Sequence, residues 1–474
     1  MIIKILFLIS SLSFASFGNF LDKPNIIFIL LDDLGKEWIS CYGGENIETP
    51  HIDKLASSGI KFSNVYSMPQ CTPSRVCFLT GQYPFRNGWV NHWDVPRWGL
   101  GYFDWKTNPS IARVMKSAGY KTAIAGKWQI NDFRIHPDAL IKHGFDDFCM
   151  WTGGETDLTS NEHSLKSDQR YWDPYIHTSE GSKTYKRQFG PDIYNSFILD
   201  FISNHKDQPF FIYYPMTLPH GPLVHTPLDM NASTKLEKHK AMVEYIDFLT
   251  GKLVNHLDEN LLSERTIIIF TSDNGTAGNI SNNRNSRLVK GGKMKTTENG
   301  VNTPFIISWP GHIPSNSNCD ALIDFSDMLP TFAQLAGTSL EKEYEYDGVS
   351  FVEVLKNPLS PSPRKWILSM GSHPGVGTLN GIENTHRYRD RVVRDEYSKV
   401  FVNSKGEIEK LVDLSKDLNE KNNLLESKKY INEIAKFRQI VETFPKIDND
   451  PIYTIIDDYP IYREGNIPSK THKK

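Results

Sequence analysis

Acidic and amide side chains stand close behind two apolar runs that are far apart in the sequence. Asp32 and Asp33 follow the run NIIFILL, and Asp273 and Asn274 follow TIIIFT. Such runs predict buried strands, and in open α/β sheets ligands bind where the carboxyl ends of parallel strands meet. Three carboxylates and an amide form a hard oxygen cage that prefers Ca²⁺ or Mg²⁺ to zinc or copper. A single Asp is more often a turn or helix cap, but two pairs together predict a divalent-metal site.

Two further apolar runs lead to basic side chains. Lys127 comes after KTAIA, and His220 comes after PFFIYY. If all four runs are strands of one sheet, we expect these side chains at the same edge as the carboxylates.

The segment CTPSR at 71–75 combines a thiol with a helix start. Pro73 fits the first turn of a helix, where its missing N–H is not needed, so Cys71 is expected just before the helix N-terminus. That end attracts anions such as sulfate, and the fork of donors on Arg75 can hold their oxygens. The same position would also suit a reactive thiolate, because helix N-termini lower the pKa of cysteine.

The alternation of apolar runs with helical stretches predicts an α/β fold with a large, mostly parallel central sheet flanked by helices. The predicted helices are Ser110–Ser117 and Leu236–His256. The segment PLSPSP at 358–363 indicates a linker, and the strand-like runs after it predict a smaller C-terminal α+β domain with an antiparallel sheet. We therefore divide the chain into residues 22–360 and 361–474, the second ending in a loose polar tail from about Arg463.

The N-terminus is typical of a secretory signal over residues 1–18, with Lys4 before the apolar stretch Ile5 to Phe14. The alternative is a buried first strand. Export to the periplasm or outside the cell is the prediction, and no later segment has the roughly 20 apolar residues of a membrane span. A formal net charge of -3 over 474 residues gives no basic field for nucleic acid.

Five cysteines are too few for a disulfide scaffold and match no zinc spacing. An odd number in an exported chain leaves one thiol unpaired or chemically altered, and Cys71 is the candidate. The pairing of the others is left open, namely Cys41, Cys77, Cys149 and Cys319.

With these residues in place, the chain resembles the formylglycine-dependent, arylsulfatase-like sulfatases of the alkaline phosphatase superfamily. CTPSR is similar to their signature C-x-P-S-R, in which the cysteine is oxidised to formylglycine. In the family's order it is joined by PNIIFILLDDLG, GKW, a PH after a strand, TSDNG, GGKMKTTENGVNTPFIISWPG and, near the end, LVDLSKDLNEKNNL.

The resemblance implies a role for each matching position. It implies a formylglycine made from Cys71 by a maturing enzyme, held by Arg75 and Lys127. Lys293 would contact the sulfate and the leaving oxygen, and His220 would protonate the leaving alcohol. The calcium ligands would be Asp32, Asp33, Asp273 and Asn274. The implied fold is the alkaline-phosphatase-like one.

The chain departs from the family pattern at a few positions. Gln129 stands where the pattern G-K-W-H has histidine, and a glutamine cannot take a proton. In the pattern E-G-G-x-R, Asn299 and Asn302 replace the first glycine and the arginine. His225, five residues beyond His220, is a further candidate for the cleft, although a structural histidine is as good an interpretation.

The substrate class is predicted as a sulfated polysaccharide or its oligosaccharides. Aromatic residues near the CTPSR helix could stack on sugars or simply fasten a loop; they are Trp89, Trp93, Trp98, Tyr102, Phe103 and Trp105. His386 and Arg387 are candidates for reading a hydroxyl or a second sulfate. Two alternatives stay open: a phosphoesterase or phosphonate hydrolase of the same superfamily, and a catalytically impaired carbohydrate-binding relative.

Overall fold

The computed structural model describes residues 23–90, 103–131, 133, 136–152, 170–372, 376–378, 381–383 and 386–450. The expected signal segment 1–18, the residues Trp93, Trp98 and Tyr102, and the expected tail from Arg463 lie outside the described residues.

The strands of the described residues are β1 (Asn25–Leu31), β2 (Gly59–Tyr66), β3 (Lys121–Lys127), β4 (Asp147–Trp151), β5 (Tyr175–Thr178), β6 (Gly181–Thr184), β7 (Phe210–Pro215), β8 (Thr266–Ser272), β9 (Ser281–Arg284), β10 (Arg287–Lys290), β11 (Phe305–Ser308), β12 (Ser317–Asp324), β13 (Ile367–Met370), β14 (Val376–Thr378), β15 (Gly381–Glu383), β16 (Arg391–Arg394), β17 (Ser398–Val402) and β18 (Ile408–Asp413).

The α-helices of the same residues are α1 (Pro50–Ser57), α2 (Cys71–Thr80), α3 (Pro84–Asn87), α4 (Ile111–Ser117), α5 (Ala139–Lys142), α6 (Gly190–Asn204), α7 (Lys235–Glu259), α8 (Glu298–Val301), α9 (Met328–Leu335), α10 (Val352–Lys356) and α11 (Ile431–Glu442). None of them is long and apolar enough to cross a membrane.

Ten strands form one large sheet in the order β12-β2-β11-β8-β1-β7-β3-β4-β5-β6. Its middle, from β8 to β4, is parallel throughout, and β11, β5 and β6 pair antiparallel with their neighbours. The prediction of a large, mostly parallel sheet is confirmed. Because parallel strands point the same way, their carboxyl ends form a single edge.

The central strand β1 is apolar on both faces. Ile26, Phe28 and Leu30 belong to the core on one side of the sheet, and Ile27 and Ile29 belong to the core on the other. Successive side chains of a strand point to opposite faces, so a continuous apolar run is stable only where helices cover both. This pattern holds the strand rigidly at the centre of the fold.

The smaller antiparallel sheet is also confirmed, with the order β13-β16-β17-β18. Its residues Leu368, Val393 and Val400, together with Phe437 of α11, share the core that contains Phe28 of β1. The division of the chain near residue 360 stays a prediction, because the apolar core continues across it.

The predicted helices begin and end close to their observed bounds. Ser110 precedes α4, and α7 starts after Thr234, which forms a capping box with Glu237. One local expectation is corrected: Cys71 is the first residue of α2, whereas the sequence placed it just before the helix. Pro73 is the third residue of α2 and lies in its first turn, where a backbone N–H has no partner within the helix.

Candidate active site

The register of β1 and β8 brings the two acidic pairs together. These strands are parallel neighbours, and Leu31 lies opposite Ser272. Asp32 and Asp33 therefore leave the sheet at the same level as Asp273. The backbone N–H of Asp33 donates to Oδ1 of Asp273 at 3.1 Å, and Asn274 Nδ2 donates to Oδ1 of Asp33 at 2.8 Å. All four predicted metal ligands form one cluster.

Oxygen atoms in this cluster are arranged to receive a cation. Ligand atoms of Asp32, Asp273 and Cys71 lie within 4.8 Å of one another, as do those of Asp32, Asp33 and His220. Among the described residues, Oδ1 of Asp32 and Oδ1 of Asn274 are buried without a hydrogen-bond donor. Because an unsatisfied buried oxygen is costly, these atoms fit the donor set of a divalent metal.

The charge of the cluster depends on its neighbours. Burial, followed by the negative charge of Asp32, raises the pKa of Asp273 well above its ordinary value. Burial also opposes ionisation of Asp32, but the nearby Lys127 and the other cations hold its pKa below the usual range. A divalent cation would favour the ionised form of every carboxylate in the cage.

The start of α2 is anchored against β8. Ser74 Oγ donates to the backbone carbonyl of Asp273 at 2.5 Å and accepts from the backbone N–H of Met68 at 3.0 Å. Arg75 Nη2 donates to Oδ2 of Asp273 at 2.7 Å. These bonds explain the serine and arginine of CTPSR: they fix the helix N-terminus so that the buried Cys71 faces the carboxylates.

Three cations surround the carboxylates. Lys127 Nζ lies 2.7 Å from Oδ2 of Asp32, and Lys293 Nζ lies 2.6 Å from Oδ2 of Asp33. Arg75 Nη2 is also 3.7 Å from Oδ1 of Asp32. The lysine ammonium groups and the guanidinium thus converge from β3, from the segment after β10 and from α2.

Glycines make the close approach of these cations feasible. Gly126, before Lys127, has φ 121° and a Cβ there would lie 2.0 Å from the carbonyl oxygen of Pro215. A Cβ on Gly292, before Lys293, would lie 2.4 Å from the backbone nitrogen of Gly300. Only glycine fits at such contacts, which gives a steric reason for GKW and GGK.

His220 is oriented by a residue that sequence analysis missed. Its Nε2 lies 3.6 Å from Oδ2 of Asp33, and its Nδ1 lies 3.1 Å from Nη1 of the buried Arg170 and 2.6 Å from the carbonyl of Gly221. Arginine only donates and a carbonyl only accepts, so the two contacts require opposite protonation of Nδ1; together they fix the position of the ring and leave Nε2 facing Asp33. Burial, and next the charge of Lys293, lower the pKa of His220 to about 3.

We expect Arg170→Ala to slow hydrolysis of sulfate esters by about 10²-fold when the leaving alcohol is poor, as general acid catalysis typically supplies such factors. The loss should be small for a nitrophenyl sulfate, whose leaving group needs no proton. Steady-state rates for a series of leaving alcohols test this. An equal loss of rate for all leaving alcohols would mean that Arg170 only supports the fold. Arg170→Lys should restore part of the rate that Arg170→Ala loses with poor leaving alcohols.

Gln129 occupies the position next to the thiol. Its side chain is buried, Cys71 Sγ lies 3.9 Å from its Oε1, and its backbone has φ 66°. Histidine is among the residues that tolerate this left-handed conformation, so exchange should not strain the backbone.

Gln129→His is accordingly expected to leave turnover unchanged or to raise it, by up to about 10²-fold, because an imidazole can accept a proton from the residue at position 71. Turnover of a sulfate ester together with the melting temperature checks this. A collapse of turnover in a normally folded variant would give the glutamine a dedicated role of its own.

The remaining candidates lie apart from the cluster. His225 packs against Trp172 in a tilted arrangement, with 5.4 Å between the ring centroids. His386 and Arg387 are exposed and line a separate cavity of about 330 Å³ with Lys405. The structure does not bring these two into the carboxylate cluster, because the start of β16 turns them towards the β17–β18 connection.

The described aromatic residues do not form a sugar platform. Trp89 and Phe103 are fully buried and pack edge to face at 5.9 Å. Trp105 contacts His136, with 5.7 Å between ring centroids. These contacts are explained if Trp89, Phe103 and Trp105 fasten a loop to the rest of the domain. Cys41, Cys77, Cys149 and Cys319 are free thiols, which answers the pairing question for these four residues.

The fold and the site define an α/β class with a buried cluster of acidic side chains that could hold a metal, beside a cysteine at the start of a helix. The family model described as Sulfatase matches residues 24–338, and that described as N-sulphoglucosamine sulphohydrolase, C-terminal, matches residues 293–446. The chain belongs to the sulfatase family.

Individual relatives agree with this membership. An arylsulfatase of Hemicentrotus pulcherrimus is 30% identical over 70% of this chain and 62% of its own length. An N-acetylgalactosamine-6-O-sulfatase of Bacteroides thetaiotaomicron is 28% identical over 90% of this chain and 94% of its own length. The crystal structure of Ps i-CgsB matches with a TM-score of 0.74 and 25% identity over 95% of this chain and 99% of that one. The chain thus spans less than two thirds of the first of these relatives.

Proposed function

We propose that this chain is a sulfatase that hydrolyses a sulfate ester on a sulfated carbohydrate. The observation that carries the proposal is the convergence of Cys71, at the first position of α2, with three carboxylates at the ends of β1 and β8. Sugars are named for two of the relatives: one is an N-acetylgalactosamine-6-O-sulfatase, and a second structure of Ps i-CgsB is a complex with k-i-k-neocarrahexaose.

The metal in this proposal is calcium. Asp32, Asp33, Asp273 and Asn274 would hold it, and their oxygens are buried. Calcium suits such an all-protein oxygen cage, whereas magnesium retains water and is bound by fewer protein groups. When bound, the ion supplies stabilisation of negative charge on the sulfuryl oxygens.

Cys71 is proposed to act as formylglycine, installed by a maturing enzyme before or during export. Hydrated formylglycine has two hydroxyls on one carbon: one attacks sulfur, and the other later loses its proton so that the aldehyde reforms and sulfate leaves. Arg75 and Lys127 flank this position and stabilise the charge of the attacking oxygen.

Lys293 and His220 act on the other side of the ester. Both contact Oδ2 of Asp33, so they face the same point of the cleft. Lys293 neutralises the leaving oxygen. His220 is neutral at pH 7 with its pKa lowered by burial, and the negative sulfate raises its affinity for the proton that the leaving alcohol needs.

Parallel assays of a sulfate and a phosphate ester of one aryl alcohol test the proposal. Sulfate release is expected to dominate by several orders of magnitude. Dominant phosphate release would favour a phosphoesterase, and no release of either from protein produced with the maturing enzyme would favour a catalytically impaired relative. Desulfation of defined sulfated oligosaccharides then identifies the substrate.

A further inference from the structure

A second cavity, of about 830 Å³, opens on the side of the molecule. We call it the side cavity. It is lined by the loop after β1, by β2, by the hairpin β9–β10 and by the turn between β16 and β17. Its volume is in the range of pockets that bind organic ligands.

Most of the side cavity lies away from the active site. β2 runs from Gly59 to Tyr66 and leads towards Cys71, and the lining residue Lys61 lies near its beginning. Five residues of strand cover roughly 16 Å, so this end of the cavity lies well below the metal cluster, whereas Gly35 and Lys36 line the end that is nearer to Asp33. In the smaller sheet, the lining residue Arg394 lies opposite Ile367, which is the first residue of β13. Met370 is at the other end of that strand.

Four cations line the side cavity without a carboxylate partner. Lys36 Nζ donates to the carbonyl of Ser63, Lys61 Nζ to that of Cys41, and Arg284 Nε to that of Tyr42, while Arg287 Nη1 donates to Asn419. Within the described part of the chain, none of the four has a carboxylate oxygen within 4.0 Å. Glu37 and Glu298 act on Lys36, and Glu37 acts on Arg284, only from a longer distance, so none of the four cations has a direct ion pair in this part of the structure.

The carboxylates of the lining are used elsewhere. Glu298 binds Arg394 at 2.7 Å and Lys399 at 3.1 Å. Glu37 accepts from Thr276 at 2.5 Å, and burial raises its pKa. Glu396 lies exposed at the rim.

The crowding of cations is unfavourable without an anion. Burial, and next the charge of Arg284, lower the pKa of Lys36 well below its ordinary value. An anionic group in the side cavity would relieve this repulsion, because opposite charge nearby favours the ionised form of an amine.

The side cavity also offers surfaces for a sugar ring. The ring of Tyr42 is buried, with Lys36 Nζ and Lys61 Nζ each 5.5 Å from its centroid, so it supports these cations and the exposed surface lies at the rim. At the rim, Tyr397 is 57% and Leu418 59% exposed. Aromatic faces with cations around them combine stacking with binding of sulfate groups.

We infer that the side cavity is an accessory binding site for a sulfate-bearing oligosaccharide. The side cavity binds a stretch of the saccharide that is remote from the scissile ester. Only the ligand class of this cavity rests on the proposed function. The site raises affinity for long substrates without taking part in the reaction, because linked contacts with one polymer act at high effective concentration.

The test uses Lys61→Gln with Arg287→Gln, which removes two half-buried charges but keeps polar side chains. Lys290→Gln is the matched control, since Lys290 is an exposed cation on the same hairpin outside the cavity lining. Binding of a heparin hexasaccharide is measured by calorimetry in a Cys71→Ala background, with the desulfated hexasaccharide and inorganic sulfate as further probes.

The double variant should bind the hexasaccharide about tenfold more weakly and with a smaller salt dependence, whereas Lys290→Gln should match the parent. With Cys71 intact, all three proteins should hydrolyse a small aryl sulfate equally. Unchanged hexasaccharide binding in a double variant with a normal melting temperature would overturn the inference. Binding of inorganic sulfate as tight as that of the hexasaccharide would also overturn it. A parent protein that does not hydrolyse the aryl sulfate would instead contradict the proposed function. The binding measurements would still test the side cavity in that case.

Discussion

Cys71→Ala is expected to lower kcat/KM for sulfate esters by about 10⁴-fold or more, because it removes the side chain that we propose becomes the nucleophile. The fold should persist, since the anchors of α2 are Ser74 and Arg75 rather than the thiol. Rates with an aryl sulfate, combined with circular dichroism, provide the measurement. Mass analysis of the peptide around residue 71 should find the aldehyde in active parent protein.

Cys77→Ala is the matched control for this variant. Cys77 lies on the same helix and is fully buried, and burial raises the pKa of its thiol well above the ordinary value, so it has no reactive form. This variant should lose some stability and little activity. Comparable losses in both variants, or full activity in Cys71→Ala, would remove Cys71 from the mechanism.

Removal of calcium by a chelator is expected to abolish sulfatase activity and lower the melting temperature. Without the ion, Asp32, Asp33 and Asp273 remain close together in a buried site. At free calcium about 100-fold above its Kd, binding adds about 2.7 kcal/mol to the free energy of unfolding. The melting temperature and the hydrolysis rate are measured after chelation and after calcium or magnesium is added back. Calcium should restore both quantities more effectively than magnesium.

Asn274→Ala tests the ligand set without altering its charge. It removes a buried oxygen that has no donor among the described residues. The variant should need at least about tenfold more calcium for half-maximal stabilisation. The control is Asn195→Ala, because Asn195 is a buried residue of α6 whose side chain donates to the carbonyl of Leu249 in α7. The same calcium requirement in Asn274→Ala and in the parent would exclude this residue as a ligand.

Much of the active-site cluster was predictable because its residues sit at chain positions with local signals. Asp32 follows an apolar strand, and Asp273 follows a second one. Pro73 marks a helix start next to Cys71. The periodicity and composition of a short segment predict such strand ends and helix starts without tertiary information, because a strand buried on both faces must be apolar throughout.

Other parts of the site had no local signal. Arg170 stands in a stretch without apolar periodicity, and its contact with His220 joins residues fifty positions apart. His386 and Arg387 looked suitable by type, but the start of β16 directs them elsewhere. Residue type states what a side chain can do, whereas the path of the backbone decides what it meets.

The amino-acid sequence by itself determined the α/β class, the two acidic pairs and the thiol at a helix start, because strand and helix periodicity and turn chemistry act over a few residues. Only the tertiary structure decided that Arg170 orients His220 and that four unpaired cations share the side cavity. Those arrangements depend on the register of β1 with β8 and on the packing of the small sheet against β2. Contacts between distant segments are fixed by the whole core and leave no periodic trace in the chain.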